Sequence, residues 1–378
     1  MTKEAILEKI TDVVKIPMND YVADYVKSGG KVMGYYCTYI PEEIFTAAGL
    51  LPYRIHGTTG VDTGEADAYL SARLCTFVRT SVAMGLDGTY DFLEGIVLTQ
   101  ACDHIRRGAD VWRNKIKRPF YSFLSIPRTP REWVFDWYLE ELKRLKAELE
   151  GHLGVVITDE KLADAIKIHN DIRERLNTIS DMRTRQKPPV TGEEALSITI
   201  ASMVMPKGEF IELMDKLIPI LDDSEIDGKY RARFILTGGE FDEPDYIRTI
   251  EEQGGLVVGE DLCYGSRTFR DTIDEKSGGD PMEAIARRYF FKVSCARMVG
   301  GFTDRLESIK DMLKEKNADG ILFQRIKFCD PWASDAHNLK YSLKDADIPT
   351  LFLEREYGVL AKGQVQTRVQ GFLESIGK

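Results

Sequence analysis

Short cysteine motifs are absent from this sequence. The chain has 378 residues and six cysteines, and the 160 residues between Cys102 and Cys263 contain none. Structural zinc usually binds closely spaced pairs such as C-x₂-C, and ferredoxin clusters bind longer cysteine runs. The chain contains neither pattern. Any metal site must therefore be assembled by the tertiary structure from cysteines that are far apart in sequence.

Nucleotide-binding and hydrolase motifs are absent as well. The sequence has no G-x-x-x-x-G-K-[ST] phosphate loop, no G-x-G-x-x-G after a strand and no G-x-S-x-G elbow. The first two motifs cradle phosphates with backbone amides, and the third presents a serine nucleophile. The sequence therefore offers no support for an ATP or dinucleotide site in this chain.

Basic tracts and long apolar runs are also missing. The net charge is −10, so a phosphate-binding surface for nucleic acid is not expected. No apolar run approaches the roughly 20 residues that a membrane span needs, and the N-terminus lacks the features of a signal peptide. We expect a cytoplasmic protein, in which structural disulfides are rare. The cysteines are then buried thiols, reactive thiols or metal ligands.

Apolar strand patterns alternate with helical patterns at both ends of the chain. Lys31–Tyr36, Phe92–Gln100 and Gly320–Phe328 are apolar segments, and the second is typical of a strand buried on both faces of a parallel sheet. The pattern predicts an α/β protein with two Rossmann- or flavodoxin-like doubly wound parallel-sheet domains joined by a helical segment. The predicted parts are an N-terminal helix plus first α/β domain (1–128), a helical bridge (129–228) and a second α/β domain (229–378).

Several helix boundaries follow from local signals. One helix is expected over 1–30, and another over Asp67–Leu86 with Cys75 inside it. Thr129-Pro130-Arg131-Glu132 and Thr191-Gly192-Glu193-Glu194 both match the capping-box pattern. Each of these two segments is therefore expected to begin a helix of the bridge.

Four cysteines are predicted to follow strands directly. Cys37, Cys102, Cys263 and Cys329 lie at or just past the C-terminal ends of predicted strands. Ligands collect at that edge of open α/β sheets, so a metal site would explain the shared position. A small buried thiol is the alternative explanation for any one cysteine taken alone.

The two α/β units resemble each other. Glu94-Gly95-Ile96-Val97 leads to Cys102-Asp103, and Asp319-Gly320-Ile321-Leu322 leads to Cys329-Asp330. In each unit another cysteine comes roughly 30 residues earlier on or near a helix; these are Cys75 and Cys295. The repetition predicts two similar sheets that face each other.

Few other side chains are catalytic candidates. His104 lies two residues after Cys102 and is a candidate proton donor, although a solvated or capping histidine fits equally well. Glu42 and Glu43 lie in the first turn of a predicted helix, where acids stabilise the helix. Glu43 is kept as a second candidate for catalysis in the cleft.

Longer motifs resemble one protein superfamily, in order and over nearly the whole chain. They are similar to signatures of the 2-hydroxyacyl-CoA dehydratase and benzoyl-CoA reductase superfamily. The motifs are Cys37-Thr38-Tyr39-Ile40-Pro41-Glu42-Glu43, Ala47-Ala48-Gly49-Leu50-Leu51-Pro52, Cys102-Asp103, Gly259-Glu260-Asp261-Leu262-Cys263-Tyr264-Gly265-Ser266-Arg267 and Lys327-Phe328-Cys329-Asp330-Pro331.

This resemblance implies an iron–sulfur protein. Cluster-carrying subunits of the superfamily typically bind one [4Fe–4S] cluster through three cysteines, which match Cys75, Cys102 and Cys329. The resemblance also implies a separate ATP-hydrolysing iron–sulfur activator that delivers electrons at very low potential. Because the present chain has no nucleotide motif, ATP hydrolysis is expected on that partner.

The other three cysteines, Cys37, Cys263 and Cys295, depart from the dehydratase pattern. Six cysteines are similar to the set in the double-cubane cluster proteins of the same superfamily. That resemblance implies an [8Fe–9S] double cubane held by all six, a homodimer, and ATP-dependent reduction of a small-molecule substrate. Two alternatives stay open. One is a [4Fe–4S] subunit of a 2-hydroxyacyl-CoA dehydratase or benzoyl-CoA reductase-like enzyme; the other is a non-catalytic cluster carrier.

Overall fold

Two parallel sheets form the centre of the molecule. A computed structural model of the chain describes residues 1–275 and 279–378. The strands are β1 (Lys31–Tyr35), β2 (Leu50–Arg54), β3 (Leu93–Thr99), β4 (Phe120–Leu124), β5 (Ala232–Gly238), β6 (Gly255–Asp261), β7 (Gly320–Ile326) and β8 (Thr350–Arg355). The first sheet has the order β2-β1-β3-β4 and the second the order β6-β5-β7-β8. Both are entirely parallel and share one topology.

Fifteen α-helices surround these sheets in the described part of the chain. They are α1 (Lys3–Lys15), α2 (Asp20–Lys27), α3 (Glu42–Ala47), α4 (Gly64–Asp67), α5 (Thr76–Leu86), α6 (Asp103–Val111), α7 (Phe135–Leu153), α8 (Asp159–Met182), α9 (Gly192–Val204), α10 (Lys207–Asp222), α11 (Pro244–Glu251), α12 (Pro281–Phe291), α13 (Phe302–Glu315), α14 (Asp330–Asp345) and α15 (Lys362–Ser375). The predicted α/β fold with two doubly wound parallel sheets is confirmed. Of these helices, none combines the length and apolar character needed to cross a membrane.

Helices α7 to α10 come between the two sheets in sequence and touch both of them in space. Helix α9 packs against β2 of the first sheet and β6 of the second. It is buried on every side, and its apolar sequence suits that position. Thr191 and Glu194 form the predicted capping box at its start. The domain limits at 128 and 228 stay a prediction.

Two predicted helices in the first 86 residues have different limits in the structure. Residues 1–30 form two helices, because Pro17 lies between them and the Asn19 side chain caps α2 by accepting from the Val22 amide. Cys75 is not inside a helix. The chain turns after α4, with the Leu74 amide donating to the Ser71 carbonyl, and Cys75 becomes the N-cap residue of α5.

The predicted capping box at Thr129 is also wrong. The Arg131 amide donates to the Thr129 carbonyl in a tight turn, and Arg131 caps a 3₁₀ turn, Glu132–Val134. Helix α7 begins only at Phe135. The preceding Arg128 carbonyl accepts from the Val299 amide, so this segment is held to the second half of the chain instead of winding into a helix.

Two helices were not predicted at all. Helix α6 begins directly after Cys102, and α14 begins directly after Cys329. Both carry local helix signals, since α6 is strongly amphipathic and Pro331 lies in the first turn of α14. Each cysteine therefore lies in a short strand–cysteine–helix unit, one in each sheet.

Candidate metal centre

The carboxyl ends of the two sheets face each other. The Tyr264 hydroxyl, beyond β6, donates to the Ile55 carbonyl beyond β2. The Arg54 guanidinium at the end of β2 lies 3.5 Å from a carboxylate oxygen of Glu240, which follows β5. Contacts of this kind join the ends of strands from different sheets. A cleft between the sheet edges is thus the place where the cysteines gather.

Three cysteines occupy helix N-termini in this cleft, and we call them the cap trio: Cys75, Cys102 and Cys329. They are the N-cap residues of α5, α6 and α14. The Ile105 amide donates to the Cys102 sulfur at 3.5 Å. Cys102 and Cys329 are near enough to Cys75 to raise its pKa further, beyond the effect of burial. The structure therefore brings these three thiols together from both sheets.

Burial dominates the chemistry of the cap trio. It raises the pKa of Cys102 to about 11 and that of Cys329 to about 12. Backbone amides at the helix starts act in the opposite direction, since they favour negative charge. Without a cationic partner these thiols stay protonated, and a metal would supply the positive charge that holds them as thiolates.

The other three cysteines form a second group, which we call the cation trio: Cys37, Cys263 and Cys295. Cys37 follows β1, Cys263 follows β6, and Cys295 lies between α12 and α13. Burial raises the pKa of Cys37 and Cys263, and the neighbouring Cys295 raises both further. Cys37 also raises the pKa of Cys102, so the two trios adjoin each other.

Buried cations surround the cation trio. Arg297 is 6% exposed and donates to the carbonyls of Ala101 at 3.2 Å and Ile126 at 2.9 Å. Lys292 is 8% exposed, and its Nζ donates to the Thr38 carbonyl at 2.6 Å. Within residues 1–275 and 279–378, neither cation forms an ion pair with a carboxylate. Buried charges are normally paired, so this cluster lacks an anion.

Two further arginines, one from each sheet, lie near the cation trio. Arg54 is 1% exposed, and its Nε and Nη2 atoms have no hydrogen-bond partner among the described residues. Arg267 pairs with Asp261 and points another N–H at the Cys263 sulfur, 3.9 Å away. Both guanidiniums lower the pKa of Cys263, against the larger effect of burial. The donors left free on Arg54 are suited to an anionic group in the cleft.

The donor set is chemically suited to an iron–sulfur cluster, because all-cysteine ligation is the usual chemistry of such clusters. Thiolates that hold an iron–sulfur cubane each bind a different iron, so they are farther apart than the ligands of one ion. In the part of the chain that the structure describes, no three Cys, His, Asp or Glu side chains are arranged to bind one metal ion.

The two predicted catalytic residues have clear positions. The His104 Nδ1 atom accepts from the Cys75 amide at 3.1 Å, and its Nε2 atom lies 3.6 Å from an Asp330 oxygen. His104 therefore links the starts of three helices that carry the cap trio. Glu43 is fully buried and pairs with Arg173. Burial alone would raise the Glu43 pKa, but Arg173 holds it at about 2. A catalytic role for either residue stays a prediction.

Sequence reasoning missed the charged residues of the cleft. Glu240 is the clearest case, because it follows β5 by two residues, the offset at which Cys37 follows β1. Burial raises the Glu240 pKa to about 7, and the neighbouring Arg54 lowers it by a smaller amount. Aligning the two α/β units strand by strand would have found Glu240. Lys292 and Arg297 flank Cys295 in the sequence, but only the tertiary structure places them beside Cys37.

Comparison with known proteins agrees with the superfamily resemblance. A family model described as "2-hydroxyglutaryl-CoA dehydratase, D-component" matches residues 37–376, which include all six cysteines. The chain is 28% identical to the (R)-phenyllactyl-CoA dehydratase beta subunit of Clostridium sporogenes over 97% of both chains. It is 26% identical to a benzoyl-CoA reductase subunit of Thauera aromatica, over 80% of this chain and 79% of that one. It is 25% identical to the beta subunit of (R)-2-hydroxyglutaryl-CoA dehydratase of Acidaminococcus fermentans, over 100% of each.

Proposed function

The chain belongs to the 2-hydroxyglutaryl-CoA dehydratase D-component family, and we propose that it is an iron–sulfur reductase. In this proposal the cap trio and the cation trio each hold one cubane of an [8Fe–9S] double-cubane cluster. The bound cluster would supply low-potential electrons for reduction of a small molecule in the cleft. A separate ATP-hydrolysing iron–sulfur activator would provide those electrons, since the chain has no phosphate-loop motif.

The surplus of buried cations around the cation trio is the observation that supports a second cubane. A cluster on the cap trio alone would leave Arg297 and Lys292 beside three neutral thiols. A buried guanidinium without an anion is costly in a low-dielectric site, and burial already lowers the pKa of the Lys292 amine well below its usual value. Three additional thiolates and their cubane would provide the missing negative charge. The free donors of Arg54 and the Arg267 N–H at 3.9 Å from Cys263 would then stabilise that charge.

The residues of the chain have distinct tasks in this proposal. Helix N-termini would stabilise the thiolates of the cap trio, and guanidinium groups would stabilise those of the cation trio. Each trio combines cysteines from both sheets, so cluster binding would also fix the two α/β domains in place. His104 would orient the helix starts around the cap trio and is kept as a candidate proton donor. A homodimer, a cytoplasmic location and domain limits at 128 and 228 complete the proposal.

Iron and sulfide analysis tests the proposal. Protein purified without oxygen is expected to contain about eight iron atoms per chain, whereas about four would overturn the double cubane. Cys263→Ala is expected to lose about half of the iron, because only the cation trio is broken. Ser266→Ala is the matched control, since Ser266 lies in the same loop and is buried but is not a cysteine. It is expected to keep all of its iron.

A one-cluster subunit of a 2-hydroxyacyl-CoA dehydratase is the second candidate function. The names of the relatives favour it, since two of them are dehydratase beta subunits. The cap trio alone would then bind a [4Fe–4S] cluster. About four iron atoms per chain, unchanged in Cys263→Ala, together with dehydration of a 2-hydroxyacyl-CoA, would establish this function instead. Iron without any turnover in the presence of the activator would indicate a non-catalytic cluster carrier.

A further inference from the structure

A small cavity lies beside the cysteine cleft, against the helical bridge. Its volume is about 40 Å³, and we call it the bridge cavity. A water molecule needs roughly 10–15 Å³ of such volume, so the cavity admits about three waters. Its lining is mixed: Ile40, Ile172, Leu176, Met203 and Phe269 border it together with the polar residues Tyr35, Glu42, Arg54, His169, Ser202 and Tyr289. The polar side chains can hydrogen-bond water held in this space.

Glu42 is at the centre of the polar groups around this cavity. Its carboxylate accepts from the Tyr35 hydroxyl and lies 3.2 Å from His169 Nδ1. The Lys207 Nζ atom lies 3.8 Å away, and the Glu42 amide donates to the Tyr289 hydroxyl at 3.3 Å. Three groups that exchange protons therefore surround one carboxylate. These groups come from β1, α8 and α10, so the arrangement joins the first sheet to the bridge.

The two basic members of this network are almost fully buried. His169 is 2% exposed, and its Nε2 atom lies 2.8 Å from the Thr46 hydroxyl. Lys207 is 7% exposed, and its Nζ donates to the Ser202 carbonyl at 2.6 Å. Burial lowers the pKa of Lys207, although Glu42 opposes the change. The ammonium group is thereby a readier proton donor than a surface lysine.

A structural ion pair already exists next to this network. Glu43, the neighbour of Glu42 on α3, pairs with Arg173 of α8 and provides the electrostatic link between helix and bridge. The Glu42 network therefore adds a second electrostatic link between α3 and the bridge. Burying these additional charged groups costs free energy. We infer that the network has a function besides holding α3 against the bridge.

Arg54 connects the bridge cavity to the cysteines. Its guanidinium lines the cavity, lies 5.5 Å from the centre of the Tyr35 ring, and lowers the pKa of Cys37 and Cys263. Its Nε and Nη2 atoms have no hydrogen-bond partner within the described residues. Water in the cavity would accept hydrogen bonds from those donors. Arg54 therefore borders both the bridge cavity and the cysteine cleft, and water in the cavity would complete a polar route from Glu42 to the cleft.

We propose that the bridge cavity delivers protons to the cleft, with Glu42 as the relay between His169 or Lys207 and cavity water. This inference rests on the proposed reductase function. Reduction of a double bond X=Y to HX–YH consumes two electrons, supplied by the iron–sulfur activator, and two protons. Each proton leaves His169 or Lys207, passes through Glu42 to water beside Arg54, and is replaced from solvent. The groups that face Glu42 are Tyr35 of β1, His169 and Arg173 of α8, Lys207 of α10, and Arg288 and Tyr289 of α12, with Glu43 adjoining on α3.

The test compares Glu42→Gln with wild-type holoprotein. The amide keeps hydrogen-bonding capacity but binds no proton, so it neither relays protons nor takes one up when the cluster gains an electron. In the wild type, the cluster midpoint potential is expected to fall with rising pH by an amount near one proton per electron. In Glu42→Gln, less than half of that slope is expected, and turnover should fall at least tenfold, in line with lost general acid–base catalysis. Iron content should be unchanged.

The matched control is Glu251→Gln. Glu251 is also buried and accepts from the Gly192 amide of α9 at 2.7 Å, but it does not line the bridge cavity. It is expected to keep the wild-type slope and turnover. The proposal is overturned if Glu42→Gln keeps both as well. If Glu42→Gln does not fold, His169→Gln provides the same two readouts. A count of about four iron atoms would contradict the double cubane alone, because the slope is measurable on either cluster.

Discussion

The two α/β domains share one sheet topology but place their cysteines differently. The third strand in sequence of each sheet, β3 or β7, leads to a cysteine of the cap trio. The other strand ends are not equivalent: Cys37 follows β1 where Glu240 follows β5, and Cys263 follows β6 where His56 follows β2. Each trio therefore draws on both domains in unequal numbers. The two sheets share the topology that forms the cleft, and the different residues at their strand ends divide the cysteines into two trios.

The domains also meet the bridge differently. In the first domain, Glu43 forms a buried ion pair with Arg173 of α8. In the second, Glu251 accepts from the amides of Gly192 and Val257, at 2.7 and 3.2 Å, and forms no ion pair within residues 1–275 and 279–378, although the charge of Arg183 lowers its pKa by less than burial raises it. Burial raises the Glu251 pKa to about 8, whereas Arg173 holds the Glu43 pKa at about 2. One contact depends on a charge, and the other is favoured when the carboxyl is neutral.

Removing the Glu43 charge should have the largest effect. Glu43→Gln leaves Arg173 buried without its anion, and breaking such a pair typically costs about 3–5 kcal/mol. Glu251→Gln keeps an acceptor oxygen for the Gly192 amide and is expected to cost less than about 1 kcal/mol at pH 7. Urea unfolding of both variants measures the difference. Equal costs would show that the two domain–bridge contacts do not differ in the way described.

The pH dependence of stability should separate the same two contacts. Because the folded-state pKa of Glu251 is raised to about 8, its contribution is present at acid pH and is lost as pH rises toward 8. Glu251→Gln should remove that loss, which is on the order of 2 kcal/mol between pH 6 and 8. Glu43 has the opposite sign: its contribution is present above about pH 4 and is lost as pH falls toward 2. Unfolding free energies of both variants across pH 3–9 check the two slopes.

An arginine beside the cation trio should affect the reduction potential of the cluster more than an arginine beside the cap trio does. Arg297→Gln removes a buried cation, and the reduced, more negative cluster loses that stabilisation. The reduction potential is expected to fall by about 50–100 mV, from a Coulomb energy of about 1–2 kcal/mol at an effective dielectric constant near 20. Arg106→Gln is the control, since Arg106 is exposed and follows Cys102 on α6. Redox titration measures both variants. An equal shift of the reduction potential would show that arginines near the two trios affect the cluster to the same extent.

The smallest effect concerns the residues before two equivalent cysteines. Phe328 precedes Cys329 with a φ of 68°, in the left-handed region, while Ala101 before Cys102 is not in that region. Phe328→Gly should relieve backbone strain and, after the entropy cost of glycine, stabilise the chain by up to about 1 kcal/mol. Ala101→Gly should destabilise it by about 0.5–1 kcal/mol. Thermal unfolding of the two variants would contradict this contrast if both shifted the midpoint in the same direction.

The sequence by itself determined the alternation of strands and helices and most strand positions. Continuous apolar segments such as Phe92–Gln100 identify buried strands, because a strand covered on both faces has no polar side. The capping box at Thr191 was also readable, since its two hydrogen bonds are local. The helices after Cys102 and Cys329 were missed, although the amphipathic pattern of α6 and Pro331 in the first turn of α14 are local signals of a helix.

Only the tertiary structure decided which cysteines lie together. Strand ends placed four of them at sheet edges, but the division into a cap trio and a cation trio depends on how the two sheets face each other across the bridge. The same holds for Arg54, Arg297 and Glu42, whose neighbours come from distant segments. Local propensity and periodicity act over a few residues, whereas burial and electrostatic pairing depend on contacts between residues far apart in the chain. Those contacts turn six scattered thiols into one candidate centre.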